Sequence, residues 1–271
     1  MFMVALIVAG EAVFSLPFHV TRFFRPTVLQ VLDLSNTQLG TVQAVYGVVA
    51  MLAYFPGGPL ADRFPARRLP TAPHLLTSPG ELYIAAFPPY RGLWVLFGFW
   101  GLTTILLFWA ALIRATREWG GDVAQGRAYG ILDGGRGLFA AVLAAAAVFL
   151  FQLLLPDDPT AATELDRARA LRGIVYGYTV ATAVAAALCW FFVPDDQGKT
   201  RDHESAWVHV ATVVRLPRVW LQAVIVVCAY VGYKGIDNYS LFAVQGYGMN
   251  ELEGARVSAV SAWVRPLAAI G

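Results

Sequence analysis

The sequence predicts an all-α polytopic membrane protein, on three observations. Mean hydropathy is +0.57 over 271 residues, with 58% hydrophobic and only 14% charged side chains. Apolar runs of roughly 20 residues recur, each long enough to cross a hydrocarbon core of about 30 Å at about 1.5 Å per residue. Proline and aspartate clusters separate them, PDDP at 156–159 and PDDQGKTRDHES at 194–205. Backbone groups in lipid must be satisfied internally, so crossings are helices or closed barrels. These runs are too long and too continuously apolar for the alternating strands of a barrel.

Eight spans follow in order. The first covers about 2–24 and the second about 39–57. The third, about 69–87, is irregular, because Pro70, Pro73, His74, Pro79 and Glu81 are costly in a lipid-exposed helix. It is either distorted and sheltered by neighbours or a damaged stretch. The fourth runs over about 93–113, the fifth over about 128–155 and the sixth over about 172–193. The seventh covers about 217–239 and the eighth about 255 to the last residue. The domain expectation is a six-helix half at 1–193, a polar linker at 194–216 and the start of a second half at 217–271. MFMVALIVAG lacks a basic leader and a cleavage site, so the first run reads as a span rather than a signal peptide. The end, Leu267-Ala268-Ala269-Ile270-Gly271, falls inside an apolar segment and reads as an unfinished chain.

Basic residues set the orientation. If the loop after the second span is cytoplasmic, that side carries Arg63, Arg67, Arg68, Arg114, Arg117, Arg127, Arg136, Lys199, Arg201, Arg215 and Arg218, eleven in all. The opposite side carries six: Arg22, Arg25, Arg91, Arg167, Arg169 and Arg172. Lys234, Arg256 and Arg265 fall within or beside the last two spans. The count places the N-terminus in the cytoplasm. Cys189 and Cys228 lie in apolar runs and read as small buried hydrophobes. There is no phosphate loop, nucleophile elbow or His/Cys ligand cluster; His74, His203 and His209 are scattered over loops and span ends. The expectation is a non-enzyme with no metal and no cofactor.

Gly58-Pro59-Leu60-Ala61-Asp62-Arg63, followed by Arg67 and Arg68, resembles the loop between the second and third helices of the major facilitator superfamily. There the pattern is Gly, any, Leu, Ala, Asp, Arg, any, Gly, then two bases. This chain departs at Pro65, where the second glycine is usual, and at Ala66, where a base is usual. The resemblance implies an MFS-type helical bundle: a complete six-helix N-terminal half plus about two helices of the C-terminal half. It also implies that Gly58, Leu60, Ala61, Asp62, Arg63, Arg67 and Arg68 form a cytoplasmic gate. Physically, Asp62 at a helix C-terminus opposes that helix's dipole and needs a cationic or helix-N-terminal partner elsewhere. The competing reading makes these residues topology anchors at the headgroups.

Ionisable groups inside spans usually face a cavity. Glu11, Ser15, Phe18 and Arg22 share one helical face with His19 at its edge, a candidate pathway lining in which Glu11 carries a proton. Self-contained ion pairing is the alternative. In GRAYGILDGGRG, Gly126, Gly130 and Gly134 have the four-residue spacing of close helix approach. Tyr129, Asp133 and Arg136 form another stripe, facing the bundle interior or, for Asp133 and Arg136, satisfying each other. Tyr230, Lys234 and Asp237 are spaced four and three apart and read as a central-site or interfacial set; Tyr46 and Gln43 are weaker candidates. Trp94, Trp100, Trp109, Trp190, Trp220 and Tyr178 read as packing or belt residues.

The functional expectation is a secondary transporter of the bacterial inner membrane. It moves a small polar solute by alternating access, with protons as the coupling ion. Arg22, Arg136 and Lys234 point to an anionic solute. Its partners are that small-molecule solute and the lipid bilayer, with no nucleic acid, and it is monomeric. The alternative is a truncated, non-transporting membrane protein or helical scaffold.

Overall fold

The long apolar runs become helices because, in hydrocarbon, the intrahelical hydrogen bond is what satisfies each peptide group. The computed structural model describes residues 1–61, 68–121, 123–194 and 214–270, without side chains at 58–61, 68–70 and 268–270. Asp62, Arg63 and Arg67, and most of the 194–216 linker, lie outside the described residues, as do the side chains of Leu60, Ala61, Gly58 and Arg68.

The elements are α1 (Phe2–Phe14), a π-helical turn (Ser15–Val20), one α turn (Thr21–Phe23), α2 (Arg25–Val31), α3 (Asn36–Ala61) and α4 (Arg68–Ala85). Next come α5 (Tyr90–Leu102), a second π-helical stretch (Thr103–Trp109), α6 (Ala110–Gly120), α7 (Gln125–Leu154) and α8 (Glu164–Phe192). After the linker stand α9 (Pro217–Lys234), a 3₁₀ turn (Gly235–Asn238), α10 (Tyr239–Tyr247), α11 (Glu251–Ser261) and α12 (Val264–Ile270). Among the described residues, six helical stretches are long and apolar enough to cross a membrane: Phe2–Phe23, Asn36–Gly57, Tyr90–Gly120, Gln125–Leu154, Glu164–Phe192 and Pro217–Tyr247. Two of the eight expected spans differ. The third is helical as α4 but too polar for that measure, and the eighth is split into α11 and α12 just before Pro266.

Helix α1 sits at the centre, packed against α7 and α8, while α3 lies along α5 and α4 along α8. Helices α11 and α12 pack on α7. Leu16, Phe24, Tyr46, Trp100, Phe151 and Tyr178 belong to the main core cluster, so it draws on five of the long spans. The closest backbone approach is at Gly101, where an added Cβ would lie 2.6 Å from the carbonyl oxygen of Tyr46. Glycine lets α5 touch α3 there.

Helix α4 is a continuous helix despite Pro73 and Pro79. Its polar residues are sheltered: Thr71, His74, Thr77 and Glu81 are all buried. His74 is therefore not at a span end; its Nε2 lies 3.1 Å from the carbonyl oxygen of Ala9. Thr77 donates to the Pro73 and His74 carbonyls, and Ser78 also donates to that of His74. These are i−3 and i−4 back-bonds that keep the hydroxyls satisfied within the helix. At the C-terminal end, Arg172 Nε donates to the Ala85 carbonyl at 3.0 Å.

Two members of the glycine repeat do not act as their spacing suggests. Added Cβ atoms at Gly126 and Gly130 meet nothing within 4 Å, so those two mediate no close approach. Close contacts fall one turn later, at Gly135 against Ile7 and Gly137 against Pro266. Cys189 is buried, but Cys228 is exposed, because no residue of α9 is buried.

Candidate functional site

Pro17 explains why the first span is not a uniform helix. It has no N–H to continue the i→i−4 ladder, and the chain answers with a π-helical turn over Ser15–Val20. The i→i+5 turn is wider than an α turn. Side chains lean toward the helix N-terminus, so His19 reaches back two turns and its Nε2 lies 3.1 Å from Glu11 Oε1. An ionised carboxylate only accepts, so Nε2 is the donor. His19 thus joins Glu11 directly instead of standing at the edge of its face. Ser15, between them, donates to the Glu11 backbone carbonyl at 3.1 Å and does not line the cavity.

A cavity of about 820 Å³ lies beside this segment. Glu11, His19, Arg22, Tyr46, Arg136, Tyr230 and Lys234 line it, as do Gln43, Trp109, Tyr233 and Arg265. Its charges form two poles. At the first, Glu11 Oε2 is 3.2 Å from Arg136 Nη2 and 3.3 Å from Arg265 Nη1. Arg265 Nη2 also reaches Asp133 Oδ1 at 2.6 Å. Arg136 donates through Nε to the Gly10 carbonyl at 3.0 Å, and its guanidinium stands over Trp109 at 5.3 Å. The direct Arg136–Asp133 separation is 3.8 Å, so Arg265 is the nearer partner of Asp133.

At the second pole, Arg22 Nε donates to Asp237 Oδ1 at 2.6 Å and Arg22 Nη1 to the Tyr233 hydroxyl at 3.0 Å. Lys234 pairs with the same Asp237 carboxylate, and its ammonium lies 5.0 Å from the Phe18 ring centre. Ser240 Oγ donates to the Arg22 carbonyl at 2.6 Å. Tyr46 donates to Thr104 Oγ1 at 2.6 Å, since that hydroxyl is already donating to the Trp100 carbonyl.

Among the candidates, Tyr129 stands apart. Its hydroxyl donates to the Ile113 carbonyl at 3.3 Å, between α7 and α6 and away from the cavity. Asp133 and Asp237 do not line the cavity; each holds a cation that does. Pattern alone leaves Arg265 unassigned, although an arginine in an apolar segment is itself a signal. Trp109 is more than a packing residue, since it forms part of the cavity wall. Among the described residues, no group of three or more His, Cys, Asp or Glu side chains is placed to hold a metal ion.

Bundled spans around a charged central cavity define a class: polytopic helical membrane proteins of the transporter kind. The match to a family model is direct. Residues 2–270 match the Major Facilitator Superfamily, and the chain belongs to it. It is 27% identical over 224 residues to the inner membrane protein YqcE of Escherichia coli, covering 80% of this chain and 50% of that protein. It is 24% identical over 246 residues to the inner membrane protein YihN of the same organism, covering 88% of this chain and 55% of that protein. An uncharacterized protein from Mycoplasma pneumoniae, the MG294 homolog, is 25% identical over 169 residues, 56% of this chain and 34% of its own. No solved structure gives a significant match. The chain spans about half the length of the two E. coli relatives. Family and relatives together make it an integral membrane protein of a transporter family, with inner-membrane homologues.

Proposed function

We propose that this chain forms the first half and the adjoining helices of a secondary transporter that moves a small polar anion by alternating access. One observation carries the reading: a central cavity of about 820 Å³ takes charged side chains both from the first span and α7 and from α9 and α12. Groups contributed by two bundles separate when the bundles rock, so such a cavity is bound to the conformational cycle.

A clasp of bonds joins the two sets of helices. Arg22–Asp237, Arg167 Nε–Glu251 Oε1 at 2.7 Å and Thr27 Oγ1–Glu251 Oε2 at 2.8 Å form it. Asn36 begins α3, whose 26 residues span about 39 Å; its far end leads to the Asp62–Arg63 loop. The eleven-to-six count of basic residues supports a cytoplasmic N-terminus and a cytoplasmic Asp62 loop. The clasp is then extracytoplasmic, and the 62–68 motif gates the opposite side. The carrier works as a monomer, with its two parts at 1–193 and 217–271 joined by the 194–216 linker.

Glu11 is the coupling site in this reading. It is buried, touches a histidine and shares its carboxylate with two arginines. Protonation would release both cations at once, linking proton binding to movement of α12.

The test is thiol labelling from either side of a sealed membrane. Ala44 and Gly47 line the cavity and are exposed. As Ala44→Cys and Gly47→Cys, in a chain with Cys189 and Cys228 replaced by serine, they should react with an impermeant maleimide added on either side. Labelling from one face only would rule out alternating access, and labelling from neither would rule out a conduit.

A further inference from the structure

The two poles of the cavity are not equivalent in charge. Arg136 and Arg265 face two carboxylates, Glu11 and Asp133. Arg22 and Lys234 share one, Asp237. The nearby Arg25 adds no acid, since it donates to the Asn36 side chain and the Thr21 carbonyl. Arg22 and Lys234 thus carry one positive charge more than the carboxylate they share, and unmatched charge is costly inside a membrane. Lys234 is the accessible member, with 30% of its side chain exposed against 11% for Arg22. The walls around it are aromatic: Phe18, Tyr46, Tyr54, Tyr230 and Tyr233.

We propose that this pole is the substrate's acid-binding subsite, and that the solute is an organic anion with one acid group and a flat ring body. This deepens the reading of the cavity as a solute pathway and rests on it. The acid group sits against Lys234 and the Tyr233-held guanidinium of Arg22, completing the charge that Asp237 leaves open. The ring packs among Phe18, Tyr230 and Tyr233 of the cavity wall, of which the two tyrosines are exposed. While Glu11 is ionised, the Arg136–Arg265 pole is occupied by Glu11 and Asp133 and takes no second acid group. That arrangement selects against polyanions, which would leave a negative charge unpaired.

Equilibrium dialysis of radiolabelled benzoate against the purified chain in detergent tests the assignment. Saturable binding in the millimolar range is expected, with benzamide and inorganic phosphate each competing at least about ten-fold less well, the weight of one lost charge or ring contact. Lys234→Gln should weaken benzoate about ten-fold or more and Lys234→Arg should restore it, whereas Arg256→Gln, an exposed arginine bonded to Gln152 outside the cavity, should change it less than about three-fold. Equal competition by benzamide would show a site indifferent to charge, and equal competition by phosphate one indifferent to the ring. Either result, an unaffected Lys234→Gln variant, or no saturable benzoate binding overturns the proposal. Failure of the carrier reading looks different: benzoate binds as expected, yet the Ala44→Cys and Gly47→Cys variants label from one face or neither.

Discussion

At the scale of single residues, the structure separates glycines that spacing alone treats alike. Gly101 lets the backbones of α5 and α3 touch, and a methyl group there would meet the fixed Tyr46 carbonyl at 2.6 Å. Gly101→Ala should cost about 2 kcal/mol or more, by analogy with overpacked cores, read as a lower unfolding temperature in detergent. Gly126→Ala should be neutral or stabilising by up to about 1 kcal/mol, since the added methyl meets open space and alanine is the better helix former. Glu11 bears on function instead. Glu11→Gln removes the anion that holds His19, Arg136 and Arg265 together. It should abolish uptake driven by a pH gradient into sealed vesicles carrying the protein; retained drive would dismiss the coupling role. The charged character of Glu11, Arg22, Arg136 and Lys234 was legible in the sequence because hydrocarbon makes any ionisable residue conspicuous. The isolation of Tyr129 was not, because a helical stripe says which residues share a face but not what that face meets.

At the scale of elements, caps and breakers behave as their local chemistry dictates. Thr163 and Asn250 each open a helix with a reciprocal capping box, to Asp166 and Glu253 respectively. Thr163→Ala should lower stability by about 1 kcal/mol, measurable by thermal unfolding in detergent. Helix α4 reads as a poor span, and its prolines and polar groups are the reason. What rescues it is burial of Thr71, His74, Thr77 and Glu81 against α1 and α8, which no window of sequence contains. Pro79 is exposed on α4. Pro79→Ala restores a backbone donor and should stabilise the chain by up to about 3 kcal/mol, seen as a raised unfolding temperature. The π turn after α1 is similar: Pro17 removes one ladder donor, but the outcome, His19 turned onto Glu11, depends on what surrounds it.

At the scale of the whole molecule, the joints between early and late helices are ion pairs across long sequence separations. Arg167 and Glu251 are the clearest case, because both side chains are only 17% exposed. Arg167→Glu and Glu251→Arg should each destabilise the chain, and the double exchange should recover about 1–3 kcal/mol of coupling in a double-mutant cycle. Additive losses would show that the clasp is incidental. The uncovered face of α9, with no buried residue, gives this chain a second apolar surface beside the bundle's own lipid-facing one.

Hydropathy and the placement of proline and acid clusters determined the class by themselves: helices in a membrane, with PDDP at 156–159 and PDDQGKTRDHES at 194–205 read as the loops between them. That follows because a peptide group in hydrocarbon has only local solutions. Which charges meet was decided by tertiary structure. Arg265 lies 254 residues from Glu11 and Asp237 lies 215 from Arg22, so only the packing of the helices brings each pair within bonding distance.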